Sequence, residues 1–514
     1  MKLLLILLAC FAGPSFESAV LFLNGVSSME ELDESVISRY RALELSPLEL
    51  NLCTRSRLLS SGLMSAFQVA SLLDWRERSG DILSYTELAL VDGFGEEYAE
   101  ALKPFTRLSS SGPPGKRRSR KLHQNLMLRG AGRLSGELEY AAGVKYKAEL
   151  GETAELYWSS RNSYSDPHFG LGTLSGAYYG RKHLGKLILG HFNARFGQGL
   201  CMWSGFSLQP WSSVQSLRRS GSGFSPTGSF SPSYCGAAAD FEYGRWSLAA
   251  AYSVPDKMPM GSVCFTGQRF TAAVNASREA VGMDIKLGLP GLGLWGECVW
   301  RGRFDAVAGV MWIPAYDTKI GAMAKWCSGV PETAAGVSSG PFEALAYLSS
   351  KQFRSMAKYS THFHLGPIGI NPVLRLAATR KDTWRVEGRG VIRLEYSGWD
   401  LTGRLDLVHC KDDTSWLFYA EAGRGGGAFR AWLRWTLFRV DKWDGRIYVY
   451  ERDAPGSFNV PAYYGKGWAT SLSCAWKPSR RHGFYCRLSC VEYPWMTDGK
   501  ASKYEVKLQY QLSL

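Results

Sequence analysis

The chain has 514 residues, too many for one ordinary domain, and carries 56 Gly, 25 Tyr, 24 Phe and 18 Trp at a mean hydropathy of −0.15. Abundant glycine and aromatic residues without long apolar runs favour β-structure with many tight turns and exclude a bundle of transmembrane helices. The net charge of +14 is unevenly divided. Residues 20–108 hold 8 Lys and Arg against 14 Asp and Glu, whereas residues 109–514 hold 51 against 31, so an acidic region precedes a basic remainder.

Residues 1–19 have the pattern of a secretory signal peptide, with one lysine, a short apolar run from Leu3 to Ala12 and then small and polar residues. The same stretch resembles a lipoprotein signal in which Cys10 would be lipidated, although Leu8 fits that pattern poorly. A plain signal peptide is the favoured interpretation. Both interpretations place the mature chain outside the cytoplasm.

Residues 20–108 predict a small all-α domain. Apolar side chains recur there at three- and four-residue spacing, which is the helical period. Examples are Val36, Tyr40, Leu43, Val69, Leu72 and Leu73.

The stretch from Pro47 to Leu108 contains a first turn at Gly62, a helix that ends in WRERSG (residues 75–80) and a second turn, Gly93-Phe94-Gly95. In this order it resembles the paired helix-hairpin-helix module of competence-type DNA-uptake receptors. The resemblance implies that backbone N–H groups at Gly93, Phe94 and Gly95 could face a phosphate. Glu96 and Glu97 open the next helix, however, and would repel it. A packing role for this turn is therefore favoured over DNA binding.

Residues 109–123 predict a basic linker. Glycine and proline in SSSGPPGKRRSRK (residues 109–121) end the helical domain, and a cluster of basic residues follows them. The cluster consists of Lys116, Arg117, Arg118, Arg120 and Lys121. A solvated linker is the favoured interpretation, and contact with anionic lipid head groups or another polyanion is the alternative.

From residue 124 to residue 514 the apolar period changes to two. In YEVKLQYQLSL (residues 504–514) the apolar and aromatic side chains share one strand face, and polar side chains occupy the other. The same alternation occurs in GVKYKAEL (143–150), WDLTGRLDL (399–407) and AFRAWLRWTLF (428–438). Such segments of about ten residues are typical of transmembrane β-strands with lipid outside and a wet lumen inside. We expect an antiparallel outer-membrane barrel of roughly 14–18 strands.

Two further stretches, ARFGQGLCMWSGF (194–206) and YERDAPGSFNVPAYYGKGW (450–468), resemble motifs of a Gram-negative family that couples an N-terminal helix-hairpin-helix module to a C-terminal barrel. The resemblance covers nearly the whole mature chain. It implies an outer-membrane location with the helical domain in the periplasm. That family has no established biochemical activity, so the resemblance implies no catalytic residue. The charged residues of the second stretch predict a brace across the lumen or, as the alternative, a binding site.

Residues with enzyme chemistry are scattered. The serine-hydrolase and phosphate-loop patterns are missing from the sequence, and we expect no cofactor. His362 and His364 form the one close histidine pair, for which a polar lumen position is favoured over a metal site. The eleven cysteines show no metal-site spacing, and a disulfide between Cys474 and Cys486 is the less favoured alternative to free thiols.

The combined prediction is a non-enzymatic α+β multidomain protein, in which a small all-α domain precedes a transmembrane β-barrel set in outer-membrane lipid. We expect the acidic helical domain, including Glu96 and Glu97, to dock a periplasmic protein partner or the barrel's own basic mouth. One alternative is nucleic-acid or polyanion binding or uptake through the basic linker and the Gly93-Phe94-Gly95 turn. Another is an anion-selective pore set by lumen residues Arg404, Arg430 and Arg434.

Overall fold

The computed structural model describes residues 16–26, 28–32, 34–109, 122–180, 183–205, 212–267, 269–426, 428–496 and 502–514. Cys10 and the basic cluster Lys116–Lys121 lie outside the described residues, so their predicted roles stay predictions. Among the helices in the described part, none is long and apolar enough to cross a membrane.

Residues 16–109 form a compact helical unit, here called the helical module. Its first helix runs across the expected signal-peptide boundary at residue 19, and Ala19 and Val20 on it are buried. The helices are α1 Phe16–Asn24, α2 Glu34–Leu45, α3 Arg55–Ser61, α4 Ala66–Ser79, α5 Tyr85–Ala89 and α6 Glu96–Leu102. Short 3-10 turns occupy Met29–Glu31 and Lys103–Phe105.

Local sequence signals fix the ends of these helices. The Thr54 side chain accepts from the backbone N–H of Arg57 at the start of α3, and Gly62 ends that helix with φ 63°. Ser65 and Gln68 form a capping box at the start of α4. The buried amide of Asn51 exchanges two hydrogen bonds with the backbone of Ile82, at 2.8 and 2.9 Å, and thereby links the segment before α3 to the segment before α5.

The rest of the described chain forms a closed antiparallel sheet. Its first twelve strands are β1 Leu122–Ser135, β2 Glu137–Leu150, β3 Ala154–Arg161, β4 Thr173–Tyr179, β5 Leu184–Arg195, β6 Tyr234–Tyr243, β7 Trp246–Ser253, β8 Met258–Thr266, β9 Phe270–Ser277, β10 Val281–Leu289, β11 Leu292–Trp300 and β12 Phe304–Ala315.

The remaining wall strands are β13 Thr318–Cys327, β14 Val330–Ser339, β15 Phe342–Ser349, β16 Phe353–Ser360 with its continuation Phe363–Leu365, β17 Ile368–Arg380, β18 Trp384–Tyr396, β19 Trp399–Cys410, β20 Asp413–Gly426, β21 Phe429–Val440, β22 Gly465–Trp476, β23 His482–Glu492 and β24 Lys503–Ser513. Short strands also pair away from the wall, as Leu48–Glu49 with Thr106–Arg107 and Ile447–Tyr448 with Ala462–Tyr463.

The last strand closes the barrel on the first. β24 pairs with β1 from Asn125 opposite Ser513 to Leu134 opposite Tyr504. Counted over the described residues, the wall has 24 strands, which confirms the predicted barrel but makes the expected number of 14–18 too small. The reason is that many connections are two-residue turns, so each strand uses less chain than expected.

The outer surface of the barrel is an apolar band with aromatic rims. The predicted alternation is confirmed: Leu405 and Leu508 point outward and are exposed, whereas Arg404 and Gln509 point inward and are buried. Exposed aromatic residues cluster near the strand ends: Tyr140, Trp300, Phe304, Trp326 and Trp384 at one end, and Trp246, Phe270, Trp312, Phe342, Tyr396, Trp399, Phe429 and Trp476 at the other. A closed barrel with this surface belongs in a bilayer, and antiparallel barrels of this kind span the outer membrane.

The two ends of the barrel differ. The end where β1 begins and β24 finishes, here called the turn end, has short connections such as residues 290–291, 316–317 and 340–341. The opposite end, the loop end, carries the two longest connections of the barrel, residues 196–233 and 441–464. We call these the first and the second inward loop, because both contact the lumen wall. Short turns are typical of the periplasmic side of such barrels.

Candidate functional site

The helical module contacts the inner wall of the barrel near its turn end. It forms polar contacts with the wall on two widely separated groups of strands. One group bonds a basic residue of the module, and the other group bonds acidic residues of the module. We call these the basic contact and the acidic contact.

The basic contact centres on Arg57 of α3, which is buried. Its guanidinium bonds carboxylates of the β2–β3 hairpin: Glu149 at 2.9 Å, Glu152 at 3.4 Å and Glu155 at 2.5 Å. Burial alone would lower the pKa of Arg57, but Glu155 and its neighbours hold that pKa well above its usual range. This arginine is therefore charged whenever the barrel is folded.

Polar bonds along α3 extend the basic contact over neighbouring strands. Ser56 Oγ donates to Glu242 on β6 at 2.7 Å, and Arg55 Nη2 donates to Thr266 on β8 at 3.2 Å. Lys186 of β5 donates to Ser60 at 2.8 Å. Four polar side chains within six residues of one helix would be unusual against a wall unless that wall were polar, which is what the inward face of the barrel provides.

The acidic contact lies on β17–β19. Glu30 Oε1 is 2.5 Å from Arg404 Nη1 and accepts from the backbone N–H of Tyr450 at 2.8 Å, while its other oxygen is 3.9 Å from Arg389. Glu31 pairs with Arg375 at 3.5 Å. Arg375, Arg389 and Arg404 lie in mid-strand, so the acidic contact sits deep in the lumen.

Glu17 of α1 adds a third carboxylate to the acidic contact, 2.6 Å from Arg452 and 3.3 Å from Arg393. Burial by itself would raise the pKa of Glu30. The guanidinium groups of Arg404 and Arg389 and the Tyr450 N–H outweigh burial and hold that pKa well below its usual range. Glu30 is therefore ionised at neutral pH.

The second inward loop meets the helical module from the loop end. The charged residues of the quoted stretch each have a partner: Glu451 bonds Arg487 and Tyr463, Arg452 bonds Glu421 at 2.8 Å as well as Glu17, and Asp453 bonds Lys507 at 2.9 Å. Tyr450 and Phe458 pack against the core of the helical module. The loop thus connects the module to the wall, in keeping with the favoured prediction of a brace.

The first inward loop is tied to β11 by a buried carboxylate. The Glu297 carboxylate accepts hydrogen bonds from the backbone N–H groups of Gln198 at 2.7 Å, Leu200 at 3.0 Å and Cys201 at 2.9 Å. Gly197 has φ 59°, and a Cβ there would lie 2.7 Å from the Glu297 carboxylate carbon, which explains the glycine in the quoted stretch.

The first inward loop also reaches the helical module. A Cβ added at Gly25 would lie 2.7 Å from Gln215, so the module and this loop are in contact. Val214 and Leu217 of the same loop are buried against the lumen wall with Trp295. Both inward loops therefore touch the module inside the barrel.

The three lumen arginines predicted for an anion pore differ in their surroundings. Arg404 and Arg434 point inward as expected, but Arg404 bonds Asp406 and Glu30, and Arg434 bonds Glu421 at 2.7 Å. Arg430 is exposed near the turn end. The charges of Arg404 and Arg434 are thus paired with carboxylates, and these ion pairs brace the lumen wall.

The Gly93-Phe94-Gly95 turn has the backbone of a tight turn, with φ 87° at Gly93 and 73° at Gly95. Phe94 is buried and forms an edge-on ring contact with Tyr98, which agrees with a packing role. Glu96 and Glu97 are exposed. The acidic contacts with the barrel come instead from Glu17, Glu30 and Glu31, so Glu96 and Glu97 do not dock the barrel, and their docking of a partner stays a prediction.

The histidine pair and the paired cysteines lie at different places in the wall. His362 and His364 are exposed near the turn end with their Nε2 atoms 3.0 Å apart, and are not in the deep lumen. Cys474 and Cys486 stand directly opposite in the β22–β23 ladder and are free thiols, so the less favoured disulfide is not formed.

A cavity of about 1570 Å³ remains between the helical module and strands β1–β5. It runs from Gly151 and Leu514 at the turn end to Arg195 and Gly456 beside the inward loops. Sequence patterns did not predict this cavity or the acidic contact, because both depend on how separate segments meet in the lumen. The one available signal was the opposite charge of the helical domain and the remainder.

No protein-family model matches the sequence, and no curated protein matches it. Solved structures with similar folds include proteins from Pseudomonas aeruginosa. OccK11 (OpdR) is 10% identical at a TM-score of 0.33, and the alignment covers 76% of this chain and 96% of that one. The outer membrane protein OpdK is 10% identical at a TM-score of 0.31, with 77% and 99% covered, and OccK5 (OpdH) is 8% identical at 0.31, with 76% and 98% covered. Similarity at this level carries no argument about substrate.

Proposed function

We propose that this chain is a non-enzymatic transport barrel of the outer membrane that its own helical module holds closed, and that a periplasmic partner opens it by displacing the module. The observation that carries the proposal is the ion pair between Glu30 of the module and Arg404 deep in the lumen. A contact at that depth is expected of a plug, because a domain that only rests on the rim would not reach mid-strand residues.

Barrel size supports the same function. Barrels of 16–18 strands leave an aqueous channel, and wider ones carry a plugged lumen. A 24-strand wall would enclose a wide pore if it were empty, and such a pore would make the outer membrane leaky. The helical module and the two inward loops supply the material that prevents this.

The partner would bind the surface of the module that faces away from the barrel. Leu83 and Leu90 are exposed there at 71% and 70%, beside the exposed acidic residues Asp92, Glu96 and Glu97. A partner with basic and apolar side chains would fit this surface. Nucleic-acid binding at the Gly93-Phe94-Gly95 turn is less favoured, because these carboxylates surround it.

Conductance of the purified full-length protein in a planar bilayer tests the proposal. The wild type should be closed, and Glu30→Lys, which places a cation against Arg404 and Arg389, should produce large, long-lived openings. Glu97→Lys makes the same change of charge on the exposed surface and should remain closed. A wild type that is steadily open, or a Glu30→Lys variant that is folded and as closed as Glu97→Lys, would contradict the proposal.

A further inference from the structure

The cavity between the helical module and strands β1–β5 is large enough to hold a solute. Ligand pockets are typically about 300–1,000 Å³, and this one is about 1570 Å³. One side is formed by α2, α3 and the residues that follow them, and the other by the wall and by residues 225–229 of the first inward loop. Its far end at Arg195 and Gly456 lies where the inward loops begin.

The lining of the cavity carries an excess of positive charge. Its basic residues are Arg39, Arg41, Arg57, Arg107, Lys145, Lys147 and Arg195, and its acidic residues are Glu49, Glu149, Glu152 and Glu155. Three of the four carboxylates bond Arg57, and one of these three, Glu149, also bonds Lys147 at 2.8 Å. Three of the four carboxylates are therefore already paired, and the lining as a whole keeps an excess of cations.

Those cations stand on both sides of the cavity. Arg39 and Arg107 belong to the module, whereas Lys145 and Arg195 belong to β2 and β5. Arg39 lines the cavity from the module side, and its buried Nε has no hydrogen-bond partner among the residues that the structure describes. Guanidinium groups match the geometry of carboxylates and phosphates, and donors on opposing walls suit a solute with several anionic groups.

We propose that this cavity binds a small multivalent oxyanion, a polycarboxylate or a polyphosphate, as the solute that the barrel transports. The inference rests on the proposed function, since a plugged transport barrel needs a solute site that persists beside the plug. The proposed binding site is formed by residues other than Arg404 and Arg434, the lumen arginines that are paired with carboxylates. Binding occurs in the closed protein, from the turn end, and does not require the helical module to move.

Calorimetric titration of the full-length protein in detergent tests this, with citrate and tripolyphosphate as probes and maltotriose as a neutral solute of comparable size. At least one anion should bind, maltotriose should not, and a Lys145→Gln/Arg195→Gln variant should weaken binding by at least about tenfold, or 1.4 kcal/mol. Arg39→Gln should weaken it from the module side. Binding of citrate alone identifies a polycarboxylate site, and binding of tripolyphosphate alone a polyphosphate site.

The matched control is Arg278→Gln/Lys411→Gln, which removes the same two charges from exposed turns at the loop end. Anion affinity should stay within about twofold there. An equal loss in both double variants, or no binding of either anion to folded wild type, overturns the proposal. Its failure is distinguishable from failure of the proposed function: an open wild-type barrel that still binds anions refutes closure alone, and a closed one that binds none refutes the site alone.

Discussion

Glu30 accepts hydrogen bonds from two segments that are far apart in the chain. Arg404 comes from β19, and the Tyr450 N–H comes from the second inward loop; Arg389 on β18 adds a further positive charge. Arg404 is itself held by Asp406 at 2.6 Å, so its position does not depend on Glu30. The wall thus presents a preformed cation, and the carboxylate of the module completes the network.

The acidic contact should withstand mild acid. The ordinary pKa of 4.5 applies to Glu30 once the module has left the lumen. While the module occupies the lumen, the pKa of Glu30 lies well below 4.5. A depressed pKa contributes stability that is fully present above 4.5 and is lost as the pH falls below 4.5 towards the seated value. In planar-bilayer conductance measurements the barrel should therefore stay closed from pH 7 to about 5 and open only in stronger acid. Glu30→Gln lacks this titration, and its openings should depend less on pH; an identical acid profile in both proteins would contradict the assignment.

For single residues, the sequence predicted which face of a strand a side chain occupies. The two-residue period placed Arg404 and Arg434 on the lumen face, because one side of each strand must meet lipid. It could not show that their charges are neutralised, since the partners Glu30 and Glu421 lie on other segments. Nor did it show that Glu17, near the end of the predicted signal peptide, bonds Arg452.

The inward loops are held to the wall by backbone as well as by side chains. At Gly197 the positive φ and the nearby Glu297 carboxylate both demand glycine. Gly197→Ala should displace the Glu297 carboxylate and break its hydrogen bonds from three backbone N–H groups. The first inward loop should then loosen, which is measured as faster hydrogen exchange at residues 198–201. Gly244→Ala is the matched control, because Gly244 has the same φ of 59° and open space around it. Equal effects of the two variants would mean that backbone strain alone matters.

At the scale of elements, periodicity predicted the kind of strand but not the number of strands. The estimate of 14–18 assumed about 22–28 residues for each strand with its connection. In the structure β10–β15 occupy only Val281–Ser349, because turns such as residues 290–291 and 340–341 connect strands of eight to twelve residues. The inward course of the two long loops left no periodic pattern, so the sequence could not place them in the lumen.

In the whole molecule, the two contacts of the helical module have opposite polarity. Arg57 meets acidic residues on β2–β3, and Glu17, Glu30 and Glu31 meet arginines of β17–β18, β19 and the second inward loop. A module rotated about the barrel axis would bring like charges together, which is destabilising. The arrangement thus allows one seated orientation, which the net charges of the two domains do not specify by themselves.

Because the two contacts share no partner, their free energies should add. Removal of one charge-assisted contact costs about 1.5–3 kcal/mol, so Arg57→Gln and Glu30→Gln should each raise the open fraction by about tenfold or more. The double variant should raise it by the product of the two factors, as expected for independent sites. Open probability in planar bilayers measures this, with Arg78→Gln/Glu97→Gln on the exposed surface as the matched control. If the double variant opens no more often than Glu30→Gln alone, the basic contact does not help to close the barrel, and the acidic contact alone holds the module in place.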